Sequence, residues 1–175
     1  LEIVKIFYKV AKKIGLENCS IAKIATVMDI NPSLVIHYFK TKEELTLALI
    51  EYILEKYSLM FQYAETDTYA EIKNTLHKMI NDLFSQKWNR LFDDGLLYSC
   101  YALTFRERKV KAMYKDLTDM LRSKLESLIE LCNEHKITNI AEPRVTTDLI
   151  FALVDGAYFY LSVASTAKDF EQKIS

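Results

Sequence analysis

Ser33, Leu34, His37 and Tyr38 stand within one short stretch, Pro32-Ser33-Leu34-Val35-Ile36-His37-Tyr38-Phe39. Their i, i+3 and i+4 spacing gathers them near one side of a helix that starts at Pro32, with Val35 and Phe39 turned inward. A hydroxyl, an aliphatic chain, an imidazole and a phenol are groups that can meet DNA. Leu34 suits a thymine methyl, while Ser33 and His37 can hydrogen-bond base edges or phosphate. Lys40 and Lys42 follow at once and suit phosphate, as do the N-terminus of a helix opening at Lys42 and the hydroxyl of Ser20. The chain has no Arg before Arg90. The bidentate Arg–guanine contact is therefore missing from this stretch, and an A·T-leaning target is expected. Each residue alone has a plainer reading: a surface histidine, a packed tyrosine, a solvated lysine at a helix start. Their joint spacing is what favours nucleic acid.

Short elements must hold these groups in place. Ile3, Ile6, Phe7, Val10, Ala11 and Ile14 make one apolar stripe, which predicts a helix from about Glu2 to Ile14 with Gly15 as its stop. Ser20 can cap a second helix over Ile21–Met28. Asp29-Ile30-Asn31 is a tight polar turn; Asn31 can cap the next helix, and Pro32 fits its first position, where a missing N–H costs nothing. Thr41-Lys42-Glu43-Glu44 is a capping box for a further helix. Two short helices across such a turn form a helix-turn-helix.

Composition sets the wider frame. Half of the 175 residues are apolar and 27% are charged, which argues against disorder. Only three Gly and two Pro interrupt the chain, and apolar residues recur with helical period, so the expected fold class is all-α. The chain opens on Leu1 instead of Met, so a few preceding residues are expected. Residues 1–45 hold seven Lys against five carboxylates, and the remainder 16 basic against 19 acidic groups. A mildly basic head on an acidic body fits a DNA-binding head. Cys19, Cys100 and Cys132 are odd in number and match no zinc spacing, which reads as reduced thiols in a cytoplasmic protein. There is no G-x-S-x-G, no HExxH and no glycine-rich phosphate loop, and His37, His77 and His135 fall in three different helices. No enzyme activity, metal or cofactor is expected. The most membrane-like run, Leu149–Ala164, carries Asp155 near its centre. A charge there costs ~2.5–3.5 kcal/mol on insertion scales, so a helix buried against protein is expected and no membrane span.

Beyond the head, apolar periodicity carries the helix from Lys42 to about Ala64, then a helix over Tyr69–Gln86, and an aromatic-rich stretch interrupted by Gly95. A long helix is expected from the charged corner at Arg106 to about His135, a loop over residues 136–142, and a last long helix from Pro143 to about Ser165. Trp88, Phe92, Tyr98, Tyr101, Phe105, Tyr114 and Tyr158 could line an apolar cavity, with Asp93, Asp94 or Asp155 as a negative partner. That set would suit a lipophilic cation, although aromatics at helical spacing are more often plain core.

Gly15, Ser20, Ile24-Ala25, Ile30-Asn31, Val35, Tyr38-Phe39, Lys42 and Leu45 resemble, residue by residue in spacing, the DNA-binding head of the tetracycline-repressor (TetR) family. The resemblance spans roughly residues 1–50. The body is similar in its helix lengths and in a last helix carrying Asp155-Gly156. What the resemblance implies is a helix-turn-helix DNA-binding domain over residues 1–45 and a helical ligand-binding and dimerisation domain over residues 46–175. It further implies an Ω-shaped homodimer joined through the last two long helices, and a repressor held on a palindromic double-stranded operator. A small-molecule effector, apolar or cationic-aromatic, would re-angle the heads through the helix beginning at Lys42 and release the DNA. Ile36 stands where most members carry a DNA-contacting Tyr, and Ala11 where a Phe usually plugs the head. His37 or Tyr38 is expected to take over part of that aromatic phosphate contact. Two other readings stay open: a dimeric regulator without a small-molecule ligand, and a helical adaptor that has lost DNA binding.

Overall fold

Capping chemistry cuts the N-terminal residues into short helices. In the computed structural model, residues 1–60, 62, 68–84 and 94–163 are described. Helix α1 (Glu2–Ile14) buries Val4, Phe7 and Ala11, one residue per turn, and ends at Gly15, whose φ of 83° lies in the left-handed region that favours glycine. Helix α2 (Ile21–Met28) starts under Ser20, whose hydroxyl accepts the Lys23 N–H. It closes with Asp29 at φ 53°, the Ile30 N–H donating to Ala25 O and the Asp29 N–H to Thr26 O. This paired ending satisfies two orphan carbonyls and turns the chain sharply. Asn31 then caps α3 (Pro32–Tyr38), its Oδ1 accepting the Ser33 N–H at 2.9 Å.

Thr41 caps α4 (Lys42–Met60) by accepting the Glu44 N–H. The returning carboxylate departs from the expected box. Glu44 Oε2 accepts the N–H of Lys40, at 2.8 Å, instead of that of Thr41. The cap therefore also clamps the α3–α4 joint. Glu43 lies in the same first turn, and hydrogen bonds from its own N–H and from Thr41 hold its carboxyl below the usual range.

The chain forms two compact units, Leu1–Met60 with Trp88–Leu117, and Phe61–Lys87 with Thr118–Ser175. In the first, Phe7, Ile24, Leu45, Leu49, Ile50 and Ile53 are fully buried. Ala11 is buried too, so the small residue at the expected plug position packs in a filled core. Leu96 and Cys100 of α6 (Asp94–Ala102) join that core, as does Val110 at the start of α7 (Arg108–Glu134). Gly95 falls in the first turn of α6, and a short 3-10 turn, Leu103–Phe105, leads to α7. Burial pushes the Cys100 thiol up to about 12.

The second unit comprises α5 (Tyr69–Leu83), the part of α7 from Thr118, and α8 (Pro143–Ser162). Thr68 caps α5 and bonds Glu71 in return. The α7–α8 loop is fastened by Asn133: its Nδ2 donates to Ile140 O, and its Oδ1 accepts from Thr138 Oγ1 and Ile140 N. Among the described residues no strand occurs, and no helix is long and apolar enough to cross a membrane.

Helix α8 differs from the expectation of a helix buried against protein. Thr147 and Val154 are buried, but Val145, Leu149, Leu153, Phe159 and Tyr160 are exposed. At about 100° per residue, Val145, Leu149, Leu153, Gly156 and Tyr160 fall within an arc of roughly 80°, opposite Thr147 and Val154. The helix is apolar on two faces, and the protomer covers one. Space beside Gly156 is open, with no atom within 4 Å of where a Cβ would stand. Asp148 and Asp155 border the exposed stripe on one side. Arg122 of α7 pairs with Asp148.

Candidate nucleic-acid interface

Val35 fixes how α3 is presented. It is fully buried, Phe39 is half-buried beside it, and the other residues of α3 are exposed. Ser33, Leu34, His37 and Tyr38 therefore share an outward surface, as their spacing implied. Tyr38 keeps 64% of its surface exposed. Its ring meets the His37 imidazole edge to face at 5.2 Å, which holds the two side chains as a pair.

Hydrogen bonds narrow what each group can offer. Ser33 Oγ donates to Asn31 Oδ1 at 2.8 Å, so its proton is committed locally and its lone pairs remain. Ser20 Oγ accepts the Lys23 N–H, which leaves the hydroxyl proton to donate outward. Lys42 is only half-exposed, and its Nζ donates to Glu17 O at 3.1 Å. Lys23 Nζ donates to Asn18 O. Two lysines thus tie the α1–α2 loop to the helices after it, while Lys40 projects from an exposed corner. Helical spacing alone missed one residue on this surface. Ile36 is 49% exposed and borders Ser33, and its position three residues after Ser33 was the available signal.

The aromatic candidates separate. Trp88 and Phe92 lie outside the described residues. In the first unit, the Tyr101 ring stands edge-on to Phe105 at 5.6 Å and to Tyr114 at 5.9 Å. Tyr101 and Phe105 are exposed, and Tyr98 is half-buried. Burial pushes the Tyr114 hydroxyl far above the usual phenol range. Tyr158 belongs to the second unit and is half-buried. Within that unit an open cleft of about 490 Å³ lies among Leu76, His77, Ile80, Asn81, Ile129, Ile140 and Ile150. Among the described residues its walls are aliphatic apart from one imidazole and one amide, and Tyr98, Tyr101, Phe105, Tyr114 and Tyr158 do not line it. Asp155 remains in contact with solvent, yet desolvation by the surrounding helix surface raises its carboxyl above the usual range, against the pull of Arg122. Among the described residues no group of His, Cys, Asp and Glu could hold a metal ion.

Residues 71–175 match the family model described as tetracyclin repressor-like, C-terminal domain. No curated protein matches the chain in sequence. Among solved structures, a TetR transcription regulator from Haloarcula marismortui superposes with a TM-score of 0.85 at 18% identity, covering 98% of this chain and 89% of that one. A protein from Saccharomonospora viridis, crystallised in complex with choline, gives 0.80 at 16% identity, covering 98% and 90%. A TetR transcriptional regulator from Legionella pneumophila gives 0.64 at 16%, covering 98% and 90%. These likenesses show the fold.

Proposed function

The chain belongs to the tetracycline-repressor family of transcriptional regulators, and on that premise we propose that it is a cytoplasmic repressor released from a palindromic operator by a small molecule. It acts by binding and not by catalysis. The observation that carries the reading is α3. One buried residue anchors it, both its ends are capped or clamped, and its whole outer surface faces solvent. Such a helix is held rigidly enough to enter a major groove. Residues 1–45 serve as the DNA-binding head and residues 46–175 as the ligand-binding and dimerisation body.

Within the head, Ser33, Leu34, His37 and Tyr38 face the groove, and Ser20, Lys40 and Lys42 hold phosphate. Lys42 would do so while tethering the α1–α2 loop, so it positions as well as attracts. Two protomers join through α7 and α8, the exposed stripe of α8 supplying the contact. The four-helix interface then sets the spacing of the heads in an Ω-shaped dimer.

The effector reading rests on two features of the body. The Tyr101–Phe105–Tyr114 cluster, with Tyr98 of the same unit as a further wall, suits a cationic ligand; the Saccharomonospora viridis structure holds choline, a cation. The cleft beside His77 and Asn81 has no carboxylate among its described lining residues and suits a neutral or anionic aliphatic ligand. Titration with choline and with octanoate separates the two, read by fluorescence of Trp88, the single tryptophan. Tyr101→Ala abolishes a choline response, and Asn81→Phe blocks an octanoate response.

DNA binding itself is tested by titrating the protein against selected duplex at several salt concentrations. Affinity falls steeply with salt, because phosphate contacts release counterions. Tyr38→Ala and Lys42→Ala weaken binding about tenfold or more, and unchanged affinity in both would refute the head assignment. Salt-independent binding, or none, would favour the helical adaptor.

A further inference from the structure

The outward surface of α3 holds two aliphatic side chains for which phosphate has no use. Leu34 is 45% exposed and Ile36 49%. With Val35 buried, the outermost line of the helix runs between Ser33 and His37. At about 100° per residue, Ile36 lies about 80° from that line on the Ser33 side and Leu34 about 80° from it on the His37 side. An apolar flank therefore borders each side of the polar centre.

Little else on this helix can read a base. It carries no Arg, Lys, Gln or Asn, and the preceding Asn31 has its Oδ1 engaged by the Ser33 N–H and hydroxyl, which rules out a bidentate contact to adenine in this arrangement. His37 is the one side chain of α3 with an uncommitted ring donor or acceptor facing the centre, and its face is paired with Tyr38. Every base-pair edge in the major groove is polar except at one group, the C5-methyl of thymine. An exposed β-branched side chain gains there only by covering that methyl.

We propose that Ile36 is a specificity-determining residue that reads a thymine C5-methyl group, with Leu34 reading a second on the opposite flank. The half-site then places one thymine on each side of the base pairs under Ser33 and His37. This rests on the DNA-binding reading above and deepens it. Where an aromatic hydroxyl at position 36 would address phosphate, isoleucine turns that position into a direct reader of sequence.

The experiment uses the full chain as the dimer. Bound sequences are selected from randomised duplex, and the best operator is resynthesised with deoxyuridine replacing each thymine in turn. Deoxyuridine keeps the base pair and deletes only the methyl. At about 0.8 kcal/mol per buried methyl-sized group, loss is about fourfold per methyl and about fifteenfold for a symmetric pair. Two positions per half-site show this loss. Ile36→Ala erases the deoxyuridine effect at one of them and leaves the other, and Leu34→Ala does the converse. Ile36→Val, which keeps the branched carbon, retains most of the effect and excludes a folding defect. Tight, salt-dependent binding that tolerates deoxyuridine everywhere overturns the proposal alone. Ile36→Ala weakening all duplexes equally does the same. Absence of any salt-dependent DNA binding overturns the proposal together with the reading beneath it.

Discussion

Leu153→Glu should separate the protomers without unfolding them. A leucine moved wholly from water into apolar contact gains ~1.5–3 kcal/mol. Leu153 keeps 65% of its surface in water within the protomer, so about two thirds of that gain, ~1–2 kcal/mol, is left for a partner. A twofold interface uses the residue twice, giving ~2–4 kcal/mol, or a dimer Kd raised roughly 30- to 700-fold. Facing carboxylates add repulsion, so the lower figure is a floor. The protomer should lose at most about 0.5 kcal/mol, the usual limit for a surface substitution. Val154 supplies the contrast, because it is one residue away but buried on the opposite face. Val154→Glu should instead destabilise the fold, since it buries an unpaired charge. Sedimentation equilibrium gives the Kd, and circular dichroism with a thermal melt checks the fold. A Leu153→Glu protein that dimerises within threefold of the parent would refute the argument that the exposed stripe of α8 is the contact.

Three further outcomes concern Gly156, Asp155 and Cys100. Gly156 has open space around it, so Gly156→Leu should stabilise the protomer by up to ~1 kcal/mol through helix propensity while weakening the dimer, seen as a melt and a Kd moving in opposite senses. Asp155 has a folded pKa above the usual carboxylate value, first from desolvation and only partly offset by Arg122. The folded state then binds the extra proton between the ordinary and the raised value, so this residue's contribution to stability falls as pH rises through that window; Asp155→Asn should remove that fall in urea melts from pH 3 upward. The Cys100 thiol, at about 12, leaves on the order of one thiolate in ten thousand at pH 8, so native protein should resist iodoacetamide at this site until denaturant is added, and rapid native labelling would contradict its burial.

The helices of the head were legible because their signals are local. Ser20, Asn31 and Thr41 act on residues two or three positions away, and the structure finds each cap engaged. The exception is again local: Glu44 reaches one residue further back than the box pattern implies and so grips the joint before α4. The all-helical body follows from periodicity, and its last break from Pro143 and the loop before it. Gly95, by contrast, falls inside the first turn of α6, and the break after that helix is the 3-10 turn Leu103–Phe105. Side-chain partners across the fold were not legible. That Lys42 would bond Glu17 O, or that Leu76, Ile129 and Ile140 would enclose a cleft, depends on packing angles that no spacing reports.

Helix α8 and Ile36 show a third kind of limit. A sequence pattern separates apolar from polar positions, but it does not say which molecule will cover an apolar one. In α8 the run from Leu149 onward reads as a buried helix because both of its faces are apolar, yet Val154 is covered by its own chain and Leu153 is not. In α3 the branched side chain of Ile36 reads as a lost tyrosine, yet it is 49% exposed on the outward surface of the helix. Both residues carry about half or more of their surface in water with nothing in the protomer to cover it. Free energy therefore favours a second molecule at each place. For α8 the proposed partner is the same stripe of a second copy, in the isologous contact of a twofold dimer. For α3 the proposed partner is a DNA major groove, and within it the thymine methyl groups.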